Sequence, residues 1–229
     1  MRRTSAASGL TLILLWASLA WAQFVEPPLL DDCSPQETPL SNGGTWSAPI
    51  DTGDTGMMAN ASLQCRTQAS GPTHSSWWNV QTFGPDMAVS ADLPDAVANT
   101  TGRYVALFVR IQSPNTGGVD GYSCRYAVFD SGASLWILQD GTFTALEACP
   151  TVTYQNDDKL ACRIVGSTLS SWLFSAGAWT ELCSVTDATV SGTGFVGIGG
   201  TDGSVGLDNI RGGTVEAGTG VEALMPVLQ

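Results

Sequence analysis

Two arginines and two tryptophans in this sequence have the chemistry of a sugar-binding surface. Alternate side chains of a β-strand face opposite sides of its sheet. If the apolar residues next to these four face the core, all four point outward. A flat aromatic ring packs on the apolar face of a sugar, and a guanidinium donates paired hydrogen bonds to its hydroxyls. The pattern predicts a saccharide platform on one sheet face, formed by Arg125, Trp136, Arg163 and Trp172.

An inverted phase on any of these strands would reverse that assignment. The tryptophans would then belong to the core, and the arginines would cover apolar surface with their aliphatic stems. The pattern alone leaves both interpretations open.

The cysteines are predicted to form structural disulfides, and neither they nor the histidine match a metal-binding or catalytic motif. There is no C-x-x-C pair, and the one histidine, His74, has no G-x-S-x-G nucleophile motif to serve. An even number of cysteines in an exported chain favours disulfides. We expect all six to be disulfide-bonded: Cys33, Cys65, Cys124, Cys149, Cys162 and Cys183.

The first 22 residues have the order of a secretory signal peptide. Arg2 and Arg3 precede an apolar run from Leu10 to Leu19, and small residues follow, so we expect cleavage after Ala22. The apolar run is about half of the ~20 residues that a membrane-spanning helix needs, and we expect no membrane span elsewhere. The sequence therefore predicts a secreted, extracellular protein.

The charge of the chain argues against nucleic acid as a partner. Removing residues 1–22 removes Arg2 and Arg3, so the net charge falls from −12 to −14. Lys159 is the only lysine, and no basic cluster could neutralise a run of phosphates.

The elements that must position these residues are strands. Short apolar or alternating runs are closed by glycine, asparagine or aspartate, and helical periodicity is nearly absent. We expect strands at Arg103–Ile111, Tyr122–Phe129, Ser134–Gln139, Lys159–Val165, Thr168–Phe174, Ala178–Val185, Phe195–Gly199 and Val205–Ile210. Many short strands must close into a sandwich or barrel, and we expect an all-β, two-sheet antiparallel sandwich over residues 31–212. Residues 23–30 would form an extended lead-in and residues 213–229 a tail.

The order of several short motifs resembles the concanavalin A-like lectin/glucanase superfamily, of the laminin-G type, over about residues 30–215. The motifs are Asp31-Asp32, Ser76-Trp77-Trp78-Asn79, Phe83-Gly84-Pro85-Asp86, Gly121-Tyr122-Ser123, Asp158-Lys159-Leu160, Val165-Gly166-Ser167-Thr168, Val196-Gly197-Ile198-Gly199 and Leu207-Asp208-Asn209-Ile210. The resemblance implies a jelly-roll sandwich. Many such proteins bind sugars on the concave sheet face or at loops along one edge, whereas others are structural or adhesive modules.

The resemblance carries expectations about metal, catalysis and one disulfide. Such sandwiches often hold one Ca²⁺ where the first and last strands meet, and Asp32 and Asp208 occupy matching positions. Glucan-cleaving members carry E-x-D-x-x-E on one strand, which this sequence lacks, so we expect no catalysis. Cys33 stands where relatives usually carry an aromatic residue after the acidic pair, which favours a hypothesis that it ties the first strand down by pairing with Cys65.

Two functions follow as hypotheses. The first is a secreted, non-catalytic module that binds a glycan or a cell-surface polymer. The second is a structural or adhesive protein that self-associates and has no saccharide pocket. A glycan-cleaving enzyme ranks below both because no pair of catalytic carboxylates can be named.

Overall fold

Fifteen β-strands are present in the residues that the computed structural model describes, which are 24–47, 49–51, 55–62, 64–67, 73–96, 104–128, 130–201 and 206–216. The predicted signal peptide (1–22) and most of the predicted tail (213–229) lie outside these residues. Among the described residues, no helix is long and apolar enough to cross a membrane.

The strands form two antiparallel sheets, which confirms the predicted jelly-roll sandwich. The eight-stranded sheet contains β1 (Leu29–Asp31), β3 (Met58–Ala59), β4 (Cys65–Arg66), β6 (Met87–Leu93), β11 (Asp158–Val165), β12 (Thr168–Ser175), β13 (Ala178–Thr186) and β15 (Gly206–Thr214). The seven-stranded sheet contains β2 (Trp46–Ser47), β5 (His74–Trp78), β7 (Val105–Gln112), β8 (Asp120–Ala127), β9 (Gly132–Gln139), β10 (Thr142–Ala148) and β14 (Phe195–Gly200).

Strand order places the long strands at one side of each sheet. The eight-stranded sheet has the order β13-β12-β11-β6-β15-β4-β3, with β1 paired to β15. The seven-stranded sheet has the order β10-β9-β8-β7-β14-β5-β2. Pairing of β1 with β15 begins at Leu29, and β15 ends at Thr214, so the sheet extends slightly beyond the predicted range of 31–212 at both ends.

The core lies between the two sheets and follows the predicted alternation. Tyr122, Cys124 and Tyr126 of β8 point into it, as do Leu160 and Cys162 of β11, and each is fully buried. Burial of a large apolar side chain contributes about 1.5–3 kcal/mol, so this alternating set is the main stabilising feature of the sandwich.

Three disulfides use all six cysteines, as predicted. Cys124–Cys162 joins β8 of one sheet to β11 of the other through the core. Cys149–Cys183 joins the segment after β10 to β13, the outermost strands of the two sheets on one side of the sandwich. Cys33–Cys65 fastens the segment after β1 to β4, which is the pairing that the hypothesis prefers.

Candidate functional site

The four predicted platform residues lie in two different sheets. Arg125 is in β8 and Trp136 in β9 of the seven-stranded sheet, whereas Arg163 is in β11 and Trp172 in β12 of the eight-stranded sheet. The prediction that all four share one face is therefore wrong. Alternation fixes the side of its own sheet to which a residue points, but it does not tell which sheet the strand joins.

The first pair belongs to a group of rings around one guanidinium. The Cζ of Arg125 lies 4.2 Å from the ring centroid of Trp136, 4.2 Å from that of Phe143 and 4.9 Å from that of Tyr104. All four side chains are half-buried. We call Tyr104, Arg125, Trp136 and Phe143 the aromatic–arginine patch.

Strand pairing explains why these residues meet. Arg125 and Trp136 alternate with the inward residues Cys124 and Leu135 of neighbouring strands, so both point away from the core. The indole Nε1 of Trp136 donates a 2.8 Å hydrogen bond to Ser134 Oγ, which fixes the plane of the ring. A cation stacked on an aromatic face contributes about 0.5–2 kcal/mol, so the rings hold the guanidinium in a defined orientation.

The middle of the same face is covered rather than open. Ile50 is buried against Phe108 and Leu138 on the outer side of the seven-stranded sheet. Ile50 N donates to Ser75 Oγ at 3.0 Å, and its carbonyl accepts from Asn115 N at 2.8 Å. The aromatic–arginine patch lies beside this covered region, and its Tyr104 and Phe143 pack against the Ile50 cluster.

The second pair is covered by the N-terminal segment. Trp172 points away from the core, as the alternation predicts, but it is only 5% exposed because Phe24 packs on it, with ring centroids 5.8 Å apart. Arg163 is half-buried on the same outer face. Burial lowers the pKa of its guanidinium, and the negative charges of Glu181 and Asp86 oppose this effect. Trp172 thus packs under Phe24 and offers no open ring face to a ligand.

The predicted calcium residues are near each other but do not form a cage of side chains. Burial raises the pKa of Asp208, and the nearby charges of Asp92 and Asp32 add to this effect. Asp92 already accepts hydrogen bonds from Asn209 and Arg211. Within the described part of the chain, no three histidine, cysteine, aspartate or glutamate side chains converge to hold a metal ion. The expected Ca²⁺ at Asp32 and Asp208 stays a prediction.

Sequence reasoning missed a buried arginine that joins three loops. Arg110 in β7 is 2% exposed, and burial lowers its pKa although the charge of Asp86 opposes this. Its guanidinium donates to the carbonyls of Pro85 (2.7 Å), Val190 (3.0 Å) and Gly166 (2.6 Å). An arginine within the apolar run of the strand VALFVRIQ is the signal that could have indicated this role.

The two facing antiparallel sheets have the fold of the concanavalin A-like lectins and glucanases. The structure resembles that of carbohydrate binding module CBM66 from Bacillus subtilis, with a TM-score of 0.58 and 14% sequence identity over 74% of this chain and 96% of that chain. It also resembles the exoplasmic/lumenal domain of VIP36 in its Ca²⁺- and Man3GlcNAc-bound form, with a TM-score of 0.57. The sequence identity is 14% over 82% of this chain and 88% of that chain.

An enzyme is among the similar structures as well. The β-glucanase of Bacillus licheniformis matches with a TM-score of 0.56 and 11% identity over 81% of this chain and 97% of that chain. At these identities the likeness shows the fold alone. A scan of protein-family models and a search of curated protein sequences both find no match.

Proposed function

We propose that this protein is a secreted, non-catalytic module that binds a glycan or a cell-surface polymer through the aromatic–arginine patch. The observation that carries the proposal is the position of Arg125, whose guanidinium lies 4.2 Å from the ring centroids of both Trp136 and Phe143 on the outer face of the seven-stranded sheet. Structures named as a carbohydrate binding module and as a mannose-bound lumenal domain share the fold, which supports this class of ligand.

The positions of the glutamates support a non-catalytic role. Hydrolysis of a glycosidic bond needs two carboxyl groups that face each other across the sugar. Of the glutamates in described strands, Glu147 is in β10 of the seven-stranded sheet and Glu181 is in β13 of the eight-stranded sheet. These two glutamates therefore do not share a sheet face, which agrees with the expectation drawn from the missing E-x-D-x-x-E motif.

The disulfides support an extracellular location. Three of them close the fold, and such bonds form and persist in oxidising compartments. Together with the predicted signal peptide, they favour secretion through the general export route.

A glycan array, followed by calorimetry with the best ligand, tests the proposal. Trp136→Ala removes one ring of the patch, and we expect an affinity loss of about tenfold, since a stacked ring contributes roughly 0.5–1.5 kcal/mol or more at a desolvated site. Trp179→Ala is the matched control, because Trp179 is a half-buried indole on the other sheet. Equal affinity of wild type and Trp136→Ala, or no binding to any glycan, would overturn the proposal.

A further inference from the structure

The hairpin formed by β3 and β4 carries a motif that glycan binding does not use. Asn60, Ala61 and Ser62 form an Asn-x-Ser triplet without proline, which is the acceptor sequence for an N-linked oligosaccharide. Asn60 follows β3 directly, and both Ala61 and Ser62 are exposed. The other triplet of this kind, Asn99-Thr100-Thr101, lies outside the described residues. Such triplets also occur by chance, so the surroundings of the Asn60 side chain decide whether it can carry a glycan.

The hydrogen bonds of the turn fix the orientation of the Asn60 amide. Its Oδ1 accepts from the backbone nitrogen of Ser62 at 2.9 Å and from that of Gln64 at 3.0 Å. Asn60 N in turn donates to the Gln64 carbonyl at 3.0 Å. Because a backbone N–H can donate only to the oxygen of an amide side chain, these two bonds distinguish the oxygen from the nitrogen. The turn therefore holds the amide by its oxygen, and Nδ2, the atom to which a sugar is attached, takes no part in these bonds.

Asn60 differs in this respect from three other asparagines of the fold. In each of those, Nδ2 donates to the protein: Asn42 to Asp31, Asn79 to Ser47 and Asn209 to Asp92. Nδ2 of Asn60 donates to no group in the described part of the chain, and it is not a buried atom. A glycan on this nitrogen would break no hydrogen bond of the fold and would extend into solvent.

The position of the hairpin leaves room for a bulky group. Cys65, the first residue of β4, is fastened by its disulfide to Cys33, so the turn has a fixed base. Strands β4 and β3 end the eight-stranded sheet on the side opposite β13. The aromatic–arginine patch lies on the other side, where Cys149–Cys183 joins the segment after β10 to β13. A glycan at Asn60 would therefore leave the patch uncovered.

We propose that Asn60 is an N-glycosylation site of the secreted protein. The co-reactant is an oligosaccharide carried on a lipid diphosphate. Nδ2 forms a bond to the anomeric carbon of the first sugar as the bond from that carbon to the diphosphate oxygen breaks. The lipid diphosphate leaves with the bonding electrons and Nδ2 loses one proton, so no oxidant or reductant is needed. The modification requires the secretion proposed above, because a secretory compartment supplies this co-reactant.

Expression of the full-length chain in cultured animal cells tests the acceptor. Asn99→Gln removes the other triplet, so that any N-linked glycan on this variant must be at Asn60. A peptide N-glycosidase should then lower its apparent mass by one glycan and convert Asn60 to aspartate in the peptide that contains it. In the same background, Asn60→Gln and Ser62→Ala should each abolish the shift. Ser62→Thr is the matched control, because it keeps a hydroxyl at the third position, and it should retain the glycan.

A second arm separates the glycosylation from the secretion. In this arm, residues 1–22 are replaced by a signal peptide from a protein that the cells secrete. A glycan that appears only behind the replacement signal would contradict secretion by residues 1–22 and support the acceptor. Protein retained in the cells is analysed as well, because the oligosaccharide is attached before folding is complete and a poorly folding variant still reports. An Asn99→Gln variant that stays unmodified at Asn60 behind both signals would overturn the proposal, and so would a glycan that persists in Ser62→Ala.

Discussion

Tyr122 and Asp187 join the two sheets at one end of the sandwich. The phenol of Tyr122, in β8 of the seven-stranded sheet, donates a 2.6 Å hydrogen bond to the carboxylate of Asp187, directly after β13 of the eight-stranded sheet. The same phenol oxygen accepts a 3.0 Å hydrogen bond from Val190 N. One hydroxyl thus holds the loop after β13 against the core.

Tyr122→Phe should therefore destabilise the protein without changing its packing volume. The variant leaves the buried Val190 N–H and the Asp187 carboxylate without this partner, and an unsatisfied buried group costs about 1–3 kcal/mol. Denaturant unfolding measures the free energy of unfolding directly. A loss below about 0.5 kcal/mol, which is typical of surface substitutions, would contradict the assigned role.

The same pair predicts the dependence of stability on pH. Burial, with a further contribution from the hydrogen bond and charge of Asp187, raises the pKa of Tyr122 to about 12. Because the folded pKa exceeds the unfolded value of about 10, the contribution is full below pH ~10 and is lost as pH rises toward 12. The melting temperature should fall over this window. The melting temperature of the Tyr122→Phe variant should fall less steeply over the same range. Some fall should remain, because burial also raises the pKa of Tyr126 and Tyr154.

The contribution of Asp187 to stability depends on pH in the opposite direction, because it is lost at low pH. Burial by itself would raise the pKa of Asp187, but the hydrogen bonds from Tyr122 and Thr189 outweigh it and lower the pKa. The contribution of Asp187 is thus present above the unfolded carboxyl pKa of about 3.9 and is lost as pH falls through the lowered folded value. Asp187→Asn should reduce this acid-dependent part of the unfolding free energy.

Arg110 should be more sensitive to substitution than the half-buried arginines, such as Arg66 and Arg211. Its guanidinium serves three carbonyls, and Arg110→Met leaves those of Val190 and Gly166 without their donor. We expect a loss of about 2–4 kcal/mol, because several buried groups become unsatisfied together. Arg110→Lys should recover only part of it, since lysine lacks the planar fork of donors. Unfolding free energies close to that of the wild type for both variants would contradict this account.

The strand alternation could be predicted from the sequence, whereas the assignment of strands to sheets could not. Cys124 and Leu135 were placed inward and Arg125 and Trp136 outward from period-two patterning alone, and the structure agrees. The division of the platform between two sheets depends on the chain crossing from β10 to β11, which no local pattern records. Strand β10 was missed because an edge strand exposed on both sides shows little alternation.

The covered tryptophan was beyond prediction for a related reason. Residues 23–30 read as a lead-in because they lack a strand pattern, and nothing local indicates that Phe24 packs on Trp172. Contacts between segments so distant in sequence arise from the tertiary fold. The acid pair Asp31-Asp32 is recognisable in the sequence, but the role of Asp31 is not: this residue is 3% exposed, and its carboxylate accepts a 2.6 Å hydrogen bond from Trp46 Nε1.

Calcium binding at Asp32 and Asp208 is tested by stability with and without the ion. If Ca²⁺ binds there, the melting temperature of the wild type should rise with millimolar CaCl₂ and fall again with a chelator, because a ligand that binds only the folded state stabilises it. Asp208→Asn should lose this response. Asp157→Asn, beside β11, is a matched control and should keep it. A wild-type melting temperature that is indifferent to calcium would contradict the prediction.

Truncation of Trp172 should mainly lower stability, whereas truncation of Trp136 should mainly lower glycan affinity. Trp172→Ala opens a cavity beneath Phe24 at a site only 5% exposed, and we expect a loss of about 3–5 kcal/mol of unfolding free energy with glycan affinity retained in the folded fraction. Trp136→Ala removes a half-buried ring, so it should cost about 1 kcal/mol of unfolding free energy and lower the glycan affinity about tenfold. Denaturant unfolding and calorimetry on both variants separate the two roles. If Trp172→Ala lost affinity while its stability was unchanged, the ligand would have to bind on the eight-stranded sheet, with Phe24 displaced from its pocket.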